Sequence, residues 1–265
     1  MKKHVLAVLA LIVFLAALDA AMFFLFSYQE NYYVFSDSVT ILFSAIAAVA
    51  AFYAFRYHGI GSLQGKALLY LFTGLLVWAV AEIVWALQEI VLDIGSPLVS
   101  AADLFYYAAY IPLIIGFYYI WRITSSSDHG KKRFFLLTAV SLLALFVGYF
   151  SVFPIASDPE MSIAEKIVTV GYPVLDIFIV SFGIAIISMM LMSRISVSWG
   201  IIVIGFLLST GGDILYAVVP EMYISGGYLD LLWQISYLTM AIGFLYYTIS
   251  IDSFKPANKP GRGHC

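Results

Sequence analysis

Charge is scarce in this sequence. Asp, Glu, Lys and Arg make up 11% of its 265 residues, against 63% hydrophobic residues, too few to cover a water-facing surface, so a soluble domain is excluded. Cysteine is almost absent, with Cys265 alone, and histidine is limited to His4, His58, His129 and His264. What the sequence does contain is a series of apolar runs of about 20 residues or more, enough at 1.5 Å per residue to cross a hydrocarbon core of about 30 Å. Runs of this length predict membrane helices and exclude barrel strands. The bilayer is therefore the first expected partner, and no nucleic-acid partner is expected.

The pattern predicts an all-α integral membrane protein with eight spans, at 4–27, 36–56, 66–92, 102–122, 133–156, 163–193, 197–219 and 228–250. The first run has the basic start of a signal peptide, "MKKH". It continues past the usual apolar length and meets no A-x-A site, so it is read as a span. In an eight-span threading every Lys and Arg except Lys166 falls on one side, which the positive-inside rule makes cytoplasmic, with both termini. The four histidines and Cys265 fall there too, so neither a disulfide framework nor a His/Cys metal centre is available on the outer face.

One segment recurs. "DLFYYAAYIPLIIGFYY" from Asp103 shares the order D-L, Y, I-G-F-x-Y with "DLLWQISYLTMAIGFLYY" from Asp230. Three more elements keep the same order in both halves. These are a basic cluster (Lys2 and Lys3, then Lys131, Lys132 and Arg133), a Y-x-x-x-D element ("YVFSD" at Tyr33, "YPVLD" at Tyr172), and "EIVWA" from Glu82 against "DILYA" from Asp213. Together they predict two tandem four-helix repeats, 1–125 and 126–250, followed by a short cytoplasmic tail, 251–265. An even number of helices per unit makes the repeats parallel, related by an axis along the membrane normal.

The acids share a depth. Asp37, Asp103 and Asp176 precede Arg56, Arg122 and Arg194 by nearly equal runs, about 27 Å of helix. Of 16 acids only Asp128 and Asp252 are expected on the inner side. For Asp37, Asp103, Asp176 and Asp230 a structural explanation is at hand: near the first turn of an inward-running helix a carboxylate caps free N–H groups and suits the dipole. "SAAD" at Ser100 has the spacing of a capping box.

That explanation fails for Asp19, Glu82 and Asp213, which lie toward the C-terminal ends of outward-running helices, where the dipole disfavours a negative charge. With no basic residue but Lys166 at their depth, they need a proton, water or a bound cation. Aromatic residues accompany the acids at helical spacing: Trp78 and Trp85 with Glu82, Tyr106, Tyr107 and Tyr110 with Asp103, Tyr216 with Asp213, and Trp233 and Tyr237 with Asp230. An outward-opening pocket is expected, built on Glu82, Asp213, Trp85, Tyr216, Asp19, Asp103, Asp176, Asp230, Tyr110 and Tyr237. It would suit an organic cation, a hard metal ion or a proton. No dedicated cofactor is expected.

The segments "SPLVSAADLFYYAAYIPL", "YPVLD" and "GGYLDLLWQISYL" resemble the multi-helix membrane regions found in front of diguanylate cyclase and histidine kinase output domains in bacteria and archaea. The resemblance implies a sensory or ligand-binding module in a prokaryotic plasma membrane. About fifteen residues follow Ser250, too few for an output domain, so signalling is expected to pass to a separate partner. "GGDILY" at Gly211 lies inside a predicted span and is not a cyclase signature. Two other readings stay open: a small cation or proton-coupled transporter, and an intramembrane hydrolase with Glu82 and Asp213 as paired acid and base, as in small eight-helix lipid hydrolases such as the lysoplasmalogenase-like family.

Overall fold

The computed structural model describes residues 2–94, 97, 99–124, 130–189, 194–219 and 222–252. Asp128, His129, and the tail with Lys255, Lys259, Arg262, His264 and Cys265 lie outside the described residues. The chain forms α1 (Lys2–Phe26), α2 (Tyr32–His58), α3 (Leu63–Ala86), α4 (Ala101–Thr124), α5 (Gly130–Val147), α6 (Phe153–Ser157), α7 (Ile163–Met189), α8 (Arg194–Val218) and α9 (Tyr228–Asp252). No strand occurs among the described residues. Eight helical segments are long and apolar enough to cross a membrane, because no charged or turn-forming run interrupts them.

Two of the expected spans are not plain α-helix. A π-helical turn, Leu87–Val91, extends α3, and another, Gly148–Val152, joins α5 to α6, so the fifth span is one helical path with a wide turn inside it. Such turns insert one residue into the helical register. Ser62 caps α3 by accepting from the Gly65 amide at 2.9 Å. Pro112 and Pro173 sit inside α4 and α7, as membrane helices allow.

Six helices form a closed ring, in the order α2, α3, α4, α7, α8, α9 and back to α2. The remaining long helices stand outside it: α1 packs on α9 and α5 on α7. The apolar window of each of these two is only 17% buried, and Leu11, Phe14, Leu142, Leu145 and Phe146 project outward, as lipid-facing side chains do.

Glycines line two of the helix crossings. On α3 and α4, Gly74 receives Leu113 and Gly116 receives Leu71; on α8 and α9, Gly205 receives Met240 and Gly243 receives Ile202. A methyl group on Gly243 would come within 2.8 Å of the Ile202 backbone nitrogen, so each glycine admits a neighbouring helix that any side chain would push away. Toward the end of the bundle holding Arg56 and Lys66, the ring is filled by Phe117, Trp199, Phe206, Phe244 and Tyr247, all fully buried or nearly so. Toward the other end it stays open.

Candidate functional site

The open end holds a cavity of about 100 Å³, and each helix of the ring contributes to it. From α2 come Asp37 and Thr40, from α3 Trp78, Glu82 and Trp85, and from α4 Asp103, Tyr106 and Tyr110. Thr169 and Tyr172 of α7, Ser209, Asp213 and Tyr216 of α8, and Asp230, Trp233 and Tyr237 of α9 complete the wall with Tyr223 from the loop before α9. Five carboxyls and nine aromatic rings therefore meet in one space, and no Lys, Arg or His lines it among the described residues.

Neutral aromatic donors hold nearly every acid. The Tyr237 hydroxyl donates to Glu82 Oε1 at 2.5 Å, and Tyr106 also reaches that carboxyl. The Trp233 indole donates to Asp213 Oδ1 at 3.0 Å, and Tyr110 lies within reach of the same group while donating to Asp176 Oδ1 at 2.8 Å. Tyr172 donates to Asp103, and the Trp85 indole to Glu89 Oε2 at 3.0 Å. A carboxyl that accepts from phenol or indole is oriented without being neutralised, so its capacity to balance a cation is kept.

Local sequence explains several of these placements. Gly226 adopts φ 75°, a region that favours glycine, and this turns its amide onto Asp230 Oδ2 at 2.6 Å. Tyr223 donates to the other oxygen at 3.2 Å; burial, with Asp230 and Glu89 nearby, holds its phenol well above the usual value, so it acts as a neutral donor. Gly212 lies under the Trp233 ring, where a methyl group would come within 2.5 Å of Nε1. Its missing side chain lets the indole lie against α8 and reach Asp213. Gly211 beside it faces open space.

Two carboxyl pairs stand out. Asp176 and Asp213 are within hydrogen-bonding reach of each other, as are Asp37 and Glu89. Two carboxyls can hydrogen-bond only through a shared proton, and a cation between them is the alternative. Asp37 Oδ2 and Asp176 Oδ2 are buried without a hydrogen bond, and the Thr210 hydroxyl stands beside the Asp176 carboxyl. No group of three or more His, Cys, Asp or Glu is placed to hold a metal ion among the described residues.

No family model, curated protein or solved structure matches this chain.

Of the residues expected in the pocket, Glu82, Asp213, Trp85, Tyr216, Asp103, Asp230, Tyr110 and Tyr237 line the cavity. Asp19 does not: α1 packs outside the ring against α9, and Asp19 is buried there with both oxygens unpartnered. Asp176 is not among the lining residues, but its carboxyl is in reach of Asp213, which is. Its expected role as a helix cap is also corrected, because α7 begins at Ile163 and places Asp176 midway along the helix. Asp37 likewise sits in the second turn of α2 and caps nothing. Asp103 does reach back to the Ser100 amide at 2.5 Å, as the capping-box spacing predicts.

Glu82 and Asp213 share the cavity, but they are not each other's hydrogen-bond partners: tyrosines occupy Glu82 and Asp176 is the carboxyl beside Asp213. Asp37, Tyr172 and Tyr223 were missed as lining residues. The signal for Asp37 was present, since it holds the place in "YVFSD" that Asp176 holds in "YPVLD".

Proposed function

We propose that this protein is a membrane-embedded ligand-binding module of the sensory type, whose outward-facing pocket takes a small organic ammonium ion. One observation carries the reading: five carboxyls and nine aromatic rings wall a single cavity with no basic side chain among its described residues. Aromatic faces attract a desolvated ammonium by roughly 0.5–2 kcal/mol each, and carboxyls supply the counter-charge. The absence of a three-ligand cluster among the described residues favours an organic cation over a chelated metal. The packed inner core around Trp199 and Tyr247 favours a receptor over a transporter, because a transporter must also open that end.

Matched spacing in the two halves supports a single shared pocket. Gly74, Leu71 and Glu82 correspond in spacing to Gly205, Ile202 and Asp213, and Asp103, Tyr110 and Gly116 to Asp230, Tyr237 and Gly243. The helix crossings and hydrogen bonds repeat with them: Tyr237 serves Glu82 in the opposite half, as Tyr110 reaches Asp213. A parallel repeat of this kind would relate α2, α3 and α4 to α7, α8 and α9, with α1 and α5 in unlike places.

A ligand that binds only the folded form stabilises it, by about 2.7 kcal/mol at a hundred times its dissociation constant. Purified full-length protein in detergent is expected to melt higher with small alkylammonium salts than with sodium at equal ionic strength. Glu82→Gln and Asp213→Asn are expected to lose that response. A flat response across ammonium ions and metals, with both variants melting at or above the parent, would overturn the reading. The Asp176–Asp213 contact favours one further reading, hydrolysis by a proton-sharing carboxyl pair; it would be supported by turnover of membrane lipid esters or ethers that Asp213→Asn abolishes.

A further inference from the structure

The pocket has two poles, and the acid of a Y-x-x-x-D element stands at each. At one pole Asp37 of α2 pairs with Glu89; at the other Asp176 of α7 pairs with Asp213 of α8. Asp37 and Asp176 are the matching acids of the two Y-x-x-x-D elements. Each is at least nine-tenths buried, 5% and 2% exposed, and each keeps one carboxyl oxygen without a hydrogen bond, Asp176 with the Thr210 hydroxyl beside its carboxyl. One member of each pair, Asp37 and Asp213, lines the cavity. Trp78 and Tyr110, with ring centroids 5.7 Å apart, line the same cavity and present apolar surface to it.

An unserved buried carboxyl oxygen is costly unless a donor arrives, and one carboxyl of each pair, Asp37 of α2 and Asp213 of α8, belongs to the wall of one space. A monovalent cation satisfies one pole and leaves the other. A molecule with a cationic N–H donor at each end and an apolar middle satisfies both. An engineered cavity of about 150 Å³ takes benzene, so a cavity of about 100 Å³ limits the ligand to a short, slender aliphatic chain whose charged ends rest against the lining carboxyls.

We infer that the ligand is a short linear α,ω-diamine, one ammonium at the Asp37–Glu89 pole and the other at the Asp176–Asp213 pole. The inference rests on the ammonium-binding reading above and sharpens it to a substrate class.

Titration calorimetry on the purified full-length protein separates the two. The probes are 1,3-diaminopropane, 1,4-diaminobutane and 1,5-diaminopentane, each against the n-alkylamine of equal chain length, at fixed pH and ionic strength. Engaging the second ammonium within an already bound molecule is expected to make the best diamine on the order of 10²-fold tighter than its monoamine. Asp37→Asn and Asp213→Asn are each expected to bring the diamine down to monoamine affinity while leaving monoamine binding at the intact pole. Equal affinity of diamine and monoamine for the parent protein would overturn the inference and leave the ammonium pocket standing, with each pair then holding a shared proton. Binding of neither class would overturn both. The comparison on the parent protein alone decides the matter if a variant fails to fold.

Discussion

A single tyrosine shows how the acids are kept in this interior. Tyr237 is 4% exposed and gives its hydroxyl to Glu82, itself 8% exposed. An ion pair would hold Glu82 as well, but it would consume the charge that a cationic ligand needs. Tyr237→Phe removes the donor and leaves a buried carboxyl short of a partner, which is expected to cost about 1–3 kcal/mol. Glu82→Gln keeps an acceptor for the same hydroxyl and is expected to cost less. The double variant Glu82→Gln with Tyr237→Phe should fall short of the sum of the single effects, since residues in contact couple by roughly 0.5–3 kcal/mol. Thermal or denaturant melting of the four proteins checks this, and strict additivity would show that the hydroxyl and the carboxyl do not act together.

At the scale of the helices, packing is decided by where side chains are missing. Gly243→Ala drives a methyl group against the backbone of Ile202, which cannot rotate away, and is expected to destabilise the α8–α9 crossing by about 1–3 kcal/mol. Gly211→Ala adds the same atom in open space and is expected to be neutral or to stabilise by up to about 1 kcal/mol through helix propensity. Melting the two variants side by side tests the contrast; equal destabilisation would mean that the crossing is not glycine-limited. The spans themselves were legible because an apolar run of sufficient length has one stable form in a bilayer. Glu82 and Asp213 were legible because a carboxyl near a helix C-terminus has no local reason to be there. Asp19 carried the same signature and misled, because sequence does not reveal that α1 packs outside the ring. Asp176 reads as a cap because "YPVLD" resembles a helix start, whereas α7 begins well before it. The carboxyl pairs were illegible, since Asp37 and Glu89, or Asp176 and Asp213, meet only when separate helices pack.

For the molecule as a whole, the two ends of the bundle differ in kind. Around the cavity the ring presents carboxyls and phenols; at the other end Arg56 closes α2, Lys66 opens α3 and Arg122 lies in the last turn of α4. The same division holds for the basic residues at 131–133 and 194, which begin α5 and α8. Lys and Arg near the ends of spans are retained on the cytoplasmic side, so the cavity is expected to open to the outside, where a ligand arrives without crossing the membrane. Cys265 is the sole cysteine and therefore a probe without background. With eight spans it is expected on the same side as the N-terminus, the cytoplasmic one. A membrane-impermeant maleimide is expected to leave Cys265 unlabelled in intact cells and to label it once the membrane is permeabilised, while a cysteine introduced at exposed Tyr28, in the turn between α1 and α2, in a Cys265→Ser background shows the reverse accessibility by reacting in intact cells. Labelling of Cys265 before permeabilisation, with the Tyr28→Cys site protected, would invert the molecule, place the acidic pocket on the cytoplasmic side, and make its ligand an intracellular amine.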